Sequence, residues 1–196
     1  MIPGVRHRAT RRRSTGVVTF DNSTVVEGAS TTSFNLTVGA GATLIVFAAG
    51  NLTTGATVDG VPMTLIGKTS NAAMYAATGL PAGSRAVQVG RDAATGYIVS
   101  AVSYTGAATV SAGVMTSGSG LTAAVTPPGG GTRAVVGFDF AASSTDFTNA
   151  ATDGSTRVKY RRVNGNNVMV ADKPSAPVTA TFTGTPNWTA IGVWLS

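Results

Sequence analysis

Cysteine is absent from all 196 residues. That excludes disulfides, thiolate metal sites and cysteine nucleophiles. Histidine occurs once, at His7, inside a short basic segment. A Ser-His-Asp triad depends on a rigidly held base, so no catalytic histidine is expected. Charge is scarce: Asp, Glu, Lys and Arg make up 11% of the chain. Long apolar runs are missing as well. The stretch LIVFAAG at 44–50 is among the longest, far short of the roughly 20 residues a membrane-spanning helix needs. Leu, Glu, Lys and Gln at helical spacing are also scarce, and no P-loop or dinucleotide-binding glycine pattern occurs. We therefore expect no membrane span and no cofactor.

What charge there is falls unevenly. Of 14 Lys and Arg residues, five are Arg6, Arg8, Arg11, Arg12 and Arg13, leaving nine against eight acids in the rest of the chain. Arg157, Lys159, Arg161 and Arg162 form a second cluster, within RVKYRR. Basicity is thus two local features and not a property of the whole surface. No apolar core of a signal peptide follows the first segment, because STGVVTFDNST turns polar at once. It reads as part of the mature protein, an extended arm over residues 1–15.

The remainder is β-branched and aromatic, cut by Gly, Asn, Asp or Pro every eight to twelve residues, the pattern of an all-β sandwich or barrel. Residues 33–38 (SFNLTV), 85–89 (RAVQV) and 178–183 (VTATFT) alternate with period two, as half-buried strands do. Residues 44–48 (LIVFA), 134–138 (AVVGF) and 191–195 (IGVWL) are apolar on both faces, as central strands are. Asp59-Gly60 and Asn164-Gly165 mark short hairpins. Pro62, with no amide to donate, places its strand at an edge or a bulge. TPPGGGTR at 126–133 reads as a loop between strands. These patterns predict twelve or more strands in a two-sheet antiparallel β-sandwich, jelly-roll-like, forming a single domain over residues 16–196 behind the arm.

The acids are Asp21, Glu27, Asp59, Asp92, Asp139, Asp146, Asp153 and Asp172. Outside Asp139, turn chemistry is the expected role of the acids. Asp139 lies in VGFDF at 136–140. With Phe138 and Phe140 in the core, it is expected on a solvated outward face or at a strand-end turn, not as half of a glycosidase pair. TDGS at 152–155 has too few carboxylates for a calcium loop. No catalytic or metal-binding residue is expected.

The order of segments carries a resemblance. An apolar strand TLIVFA (43–48) is followed by GATVDGVPMTLIG, then AAMYAATGLPAGSRAVQVG, then YIVSAVSYTGA, and the chain closes on NWTAIGVWLS. Over about residues 17–196 it resembles a β-sandwich module of minor tail and virion surface proteins of tailed phages, especially those of actinobacteria. The resemblance implies a non-enzymatic structural role in a virion and brings no catalytic residue with it. The short basic arm departs from the pattern, because such a module is expected within a longer chain.

Three readings of the arm stay open. It is a solubilising tail, a tether to neighbouring virion subunits, or a nucleic-acid contact inside a capsid. Thirteen extended residues reach about 40 Å, and arginine forks pair bidentately with carboxylates. Docking through Arg6, His7, Arg8, Arg11, Arg12 and Arg13 onto capsid or tail subunits is preferred, with nucleic acid ranked behind it. In residues 157–161 three cations alternate with Val158 and Tyr160, as on a strand with one wet face. Arg157, Lys159, Arg161 and Arg162 are either a charged edge that blocks strand pairing or a binding face for an acidic partner. A host-surface glycan is the rival ligand, with Tyr75, Tyr97, Tyr104, Trp188 and Trp194 as candidate stacking surfaces. A minor tail or head-decoration component, assembled as a homo-oligomer, is the expectation.

Overall fold

The computed structural model describes residues 16–28, 30–50, 53–91, 96–141, 144–162 and 166–196. The basic arm, Asp92 and the Asn164-Gly165 turn lie outside them. The chain forms β1 (Thr19–Gly28), β2 (Thr32–Val38), β3 (Ala42–Ala49), β4 (Thr53–Val58), β5 (Val61–Pro62), β6 (Thr64–Lys68), β7 (Ala72–Leu80), β8 (Gly83–Arg91) and β9 (Tyr97–Thr105). It continues with β10 (Val114–Ser119), β11 (Thr122–Val125), β12 (Arg133–Phe140), the short helix α1 (Ser144–Asn149), β13 (Ala151–Thr152), β14 (Ser155–Arg161), β15 (Asn167–Lys173), β16 (Val178–Thr181) and β17 (Asn187–Leu195).

The protein is all-β, with four antiparallel sheets, an arrangement compatible with a β-sandwich. The first half contributes an inner sheet, β1-β9-β3-β7-β6, and an outer sheet, β2-β8-β4-β5. The second half contributes an inner sheet, β10-β17-β12-β15-β14, and an outer sheet, β11-β16-β13. The sequence pattern predicts two packed sheets, and the structure has four. The doubly apolar strands explain the difference. Leu44, Val46 and Ala48 of β3 pack with Leu36 and Val87 of the first outer sheet. Ile45, Phe47 and Ala49 face the other way and pack with Val135, Val170 and Ile191 of the second inner sheet. Likewise Val136, Phe138 and Phe140 pack with Val125, Val178 and Ala180 of the second outer sheet. Successive side chains of a strand point to opposite faces, so each inner sheet must be covered on both. Three apolar seams result, one between each adjacent pair of sheets.

The two halves repeat one another. Val46 pairs with Ala101 of β9 and Tyr75 of β7; Val136 pairs with Gly192 of β17 and Ala171 of β15. Matching the halves in this register sets β1, β9, β3, β7 and β6 on β10, β17, β12, β15 and β14. Even the irregularities coincide. The β6–β7 ladder shifts between Leu65 and Gly67, just before its pairing to Met74. The β14–β15 ladder shifts between Thr156 and Val158, just before its pairing to Val170, the counterpart of Met74. A glycine lies beneath an aromatic ring in each half. A Cβ on Gly28 would sit 2.8 Å from Tyr97, and one on Gly118 would sit 2.8 Å from Trp188. The inner sheets meet reciprocally, β1 against β14 and β6 against β10, as a two-fold relation between equivalent units requires.

Turn chemistry repeats too. Asp59 donates its amide to the Ala86 carbonyl (2.7 Å) and accepts the Ala86 amide on Oδ1 (2.9 Å). Asp153 does the same with Thr179, at 3.0 and 2.8 Å. Arg85 pairs with the first carboxylate and Lys173 with the second. The Asp59-Gly60 turn closes β4 on β5, and β5, which carries Pro62, is an edge strand.

Candidate functional site

Asp172 and Asp139 lie at opposite ends of the seam between the inner sheets, one on β15 and one on β12. In this register Asp172 is opposite Val135 and Asp139 is opposite Val168. Both are buried, at 0% and 3% exposure. Burying a carboxylate is costly unless it is paired and hydrogen-bonded, and the two are provided for very differently.

Asp172 is saturated. Its Oδ2 accepts from the Tyr104 hydroxyl (2.8 Å) and from Arg157 Nε (2.6 Å). Its Oδ1 accepts from Arg157 Nη2 (3.2 Å) and from Arg133 Nη1. Arg133 also donates to the Val18 carbonyl, and the Arg157 guanidinium stacks 4.2 Å from the centre of the Phe20 ring. Tyr104, Val18 and Phe20 belong to the first half and the other members to the second, so the network joins the halves. The Asp172 hydrogen bond raises the pKa of Arg157 above the ordinary arginine value. Burial, then the neighbouring Asp172 charge, raises Tyr104 well above the ordinary tyrosine value.

Among the described residues Asp139 has one partner: Oδ2 accepts from Asn166 Nδ2 at 2.9 Å. Its Oδ1 is buried with no hydrogen-bond partner among the described residues. Burial raises its pKa to about 7, against the lowering effect of the Asn166 hydrogen bond. Beside it lies a cavity of about 240 Å³, whose lining includes Asn71, Asp139, Asn166, Asn187, Trp188 and Thr189. The Trp188 ring itself packs over Gly118 against the core beneath the second outer sheet, and its Nε1 is buried without a partner among the described residues.

The sequence reading of Asp139 needs correction. Phe138 and Phe140 do point into a core, the one beneath the second outer sheet. The opposite face of β12 is not solvated, because the first inner sheet covers it. The stretch AVVGF at 134–138 is apolar on both faces, and that pattern already leaves a carboxylate that continues the strand no wet side. Asn187 and Thr189 form an Asn-x-Thr sequon, which says nothing of a cavity, and Asn71 and Asn166 carried no sequence signal. Asn166, Asn187 and Thr189 converge through the pairing of β12 with β15 and β17, and Asn71 comes from the β6–β7 connection of the first half.

The other candidates are placed as follows. Arg157 sits in the ladder irregularity between Thr156 and Val158 and turns into the inner seam toward Asp172. Lys159 is exposed and donates to the carbonyls of Ala150 (2.6 Å) and Thr148 (2.9 Å). Arg162 donates to the Gly96 carbonyl and lies 3.8 Å from Glu27. Arg161 is half-buried on β14. Arg157 is thus separated from the wet face that alternation assigned to it. Of the candidate stacking rings, Tyr75, Tyr97, Tyr104 and Trp194 are buried, and Trp188 alone is partly exposed. Arg6, His7, Arg8, Arg11, Arg12 and Arg13 lie outside the described residues.

Among the described residues no group of three or more His, Cys, Asp or Glu side chains is placed to hold a metal ion. No helix among them is long and apolar enough to cross a membrane. Comparison of the chain with protein-family models, with curated proteins and with solved structures finds no match.

Proposed function

We propose that this protein is a non-enzymatic structural component of a tailed-phage virion, a minor tail or head-decoration subunit, whose arginine-rich residues 1–13 dock onto neighbouring capsid or tail subunits. The observation that supports this reading best is the duplicated strand order. β5 and β6 are one run interrupted at Met63. Counting them as one strand gives eight per half. The inner sheet then runs first, eighth, third, sixth, fifth in both halves, and the outer sheet second, seventh, fourth, to which the first half adds the β5 part of its fifth strand. We read each half as a jelly roll, a topology used by viral coat and lectin domains. This is an argument by fold analogy, and the segment order that resembles phage tail modules points the same way.

A rigid double body and a charged tether suit a part that is built into an assembly. The body is nearly neutral, and the five arginines in front of it supply directional pairing to carboxylates. The test is electron microscopy of particles with an antiserum against the protein, beside a variant lacking residues 1–13. The full chain is expected on the particles. The truncated chain is expected to keep its circular dichroism spectrum and to be missing from them. Unlabelled particles would overturn the virion role. Truncated protein incorporated at the normal level would overturn docking by the arm.

A further inference from the structure

The internal repeat supplies a control for the Asp139 cavity. In the first half Ala49 pairs with Ile98 and Ala72. In the second half Asp139 pairs with Thr189 and Val168. The same register sets Asn187 on Gly96 and Trp188 on Tyr97. The first-half corner is packed. Ala49 and Ile98 belong to the apolar seam. The Tyr97 hydroxyl lies within hydrogen-bond reach of the Ser30 and Val89 carbonyls, at 2.7 and 3.0 Å. Arg162 covers Gly96 so closely that a Cβ there would lie 1.9 Å from the guanidinium. The second-half corner has Asp139, Thr189 and Asn187 where the first has Ala49, Ile98 and Gly96, and it is a cavity.

Replacing Ala by Asp, Ile by Thr and Gly by Asn at one corner gives packing nothing. It leaves a buried acceptor, Asp139 Oδ1, without a partner among the described residues. Buried polar atoms are nearly always satisfied, so such an orphan needs an explanation. The lining narrows what would satisfy it. No cationic side chain lines the cavity, so a phosphate or carboxylate ligand would meet only the Asp139 charge. One carboxylate is too few for a hard divalent cation, which takes six to eight oxygens. An ammonium ion would pair with Asp139 but offers no acceptor to the side-chain amides of the lining asparagines. An apolar molecule would leave Asp139 Oδ1 unpaired. A hydroxyl group both donates and accepts, and neighbouring hydroxyls match side-chain amides. The volume, about 240 Å³, is well above the ~30 Å³ that one water takes in the liquid.

We propose that this corner is a binding site for a neutral polyhydroxylated ligand, one monosaccharide unit of a glycan. Asp139, Asn166 and Asn187 engage its hydroxyls, and Trp188 lies at the rim. The proposal rests on the cavity and the repeat and not on the virion assignment, so either can fail alone.

The experiment titrates the ¹⁵N-labelled full chain with glucose, galactose, mannose, N-acetylglucosamine and rhamnose, with inorganic phosphate and Ca²⁺ as contrasting chemistries. The two tryptophan indole N–H signals are followed by NMR. At least one sugar is expected to move the Trp188 signal saturably, with a Kd of about 1–10 mM, while the buried Trp194 signal stays in place. Asp139→Ala and Thr189→Ile install the first-half residues and are expected to weaken binding by about tenfold or more, the scale of a lost hydrogen bond to a charged group. Should either disturb the fold, Asn187→Gly, at an exposed position, tests the same corner and is also expected to weaken binding. No response to any sugar, unchanged affinity in the folded variants, or a response to phosphate or Ca²⁺ alone would each overturn the proposal.

Discussion

The Tyr104 hydroxyl donates to Asp172 Oδ2 at 2.8 Å, from β9 of the first half to β15 of the second. This contact crosses the seam that makes two stacked units one body. Arg133 and Arg157 hold the same carboxylate, and each is itself anchored to the first half, at Val18 and Phe20. Tyr104→Phe removes one donor and leaves the arginines in place, so it should cost about 1–3 kcal/mol. Asp172→Ala strands two half-buried guanidiniums and should cost about 3–5 kcal/mol. Urea unfolding of the two variants measures both. If the halves fold as one cooperative unit through this seam, each variant keeps a single transition with an unchanged slope.

Asp139 should make stability fall as pH rises. Its folded pKa is raised by burial to about 7, against about 3.9 in an unfolded chain. Between those values the folded state binds the extra proton, so stability declines as pH increases. The contribution is fully present below about pH 4 and lost as pH rises through 7. On the scale of 1.36 kcal/mol per pKa unit the loss is a few kcal/mol. Asp139→Asn abolishes the titration. It should therefore be more stable than the native chain at pH 8, with the difference shrinking toward pH 5. Denaturant midpoints at the two pH values check the sign.

Much of this was readable in the sequence, and the unread part has a physical cause. Alternation in residues 33–38 and 85–89 identified strands with one wet face, and β2 and β8 are outer strands. The double-sided apolar runs at 44–48, 134–138 and 191–195 identified β3, β12 and β17 as central. What the pattern did not convey is how many layers such strands support. A strand apolar on both faces demands two coverings, and with three of them in two halves the coverings become four sheets. The repeat is hidden because equivalent positions keep register and not residue type. Ile66 matches Arg157, and Ala76 matches Asp172. The two Asp-Gly turns, VDG at 58–60 and TDG at 152–154, were its visible trace.

Those turns give a prediction of their own. Asp59 and Asp153 each clasp the backbone of a neighbouring strand through both amide and carboxylate. Replacing either by Ala should cost about 1–2 kcal/mol. Asp59→Ala should be the worse of the two, because Asp59 adopts φ 50°, a region in which Asp is better tolerated than Ala. Arg85→Gln and Lys173→Gln remove only half-exposed ion pairs and should stay within about 0.5 kcal/mol of the native chain. The pH dependence is opposite to that of Asp139. Burial pushes the Asp153 pKa up, but Lys173 and the Thr179 amide outweigh it and the net value is lowered. The stability Asp153 contributes is present above the unfolded pKa and lost as pH falls through the folded one. Thermal melts of Asp153→Ala against the native chain should converge in acid.

Phe47 of one inner sheet packs over Gly137 of the other. A Cβ on Gly137 would lie 2.4 Å from two atoms of the Phe47 ring and 2.8 Å from a third, below any real contact. Glycine inside a strand often marks such an approach, and Gly137 is the counterpart of Phe47 in the repeat. The seam therefore seats one bulky residue in the space its own equivalent leaves empty. Gly137→Ala must push the ring off its site in a region packed from both sides, and overpacking of this kind costs about 1–3 kcal/mol. Phe47→Leu alone leaves a void at the same place and should cost a comparable amount. Combined, the smaller side chain makes room for the added methyl, so the double variant should be more stable than the sum of the two losses implies. Neighbouring residues couple by about 0.5–3 kcal/mol, well within the resolution of a denaturant double-mutant cycle. Simple additivity would show that the two side chains do not share the seam as placed.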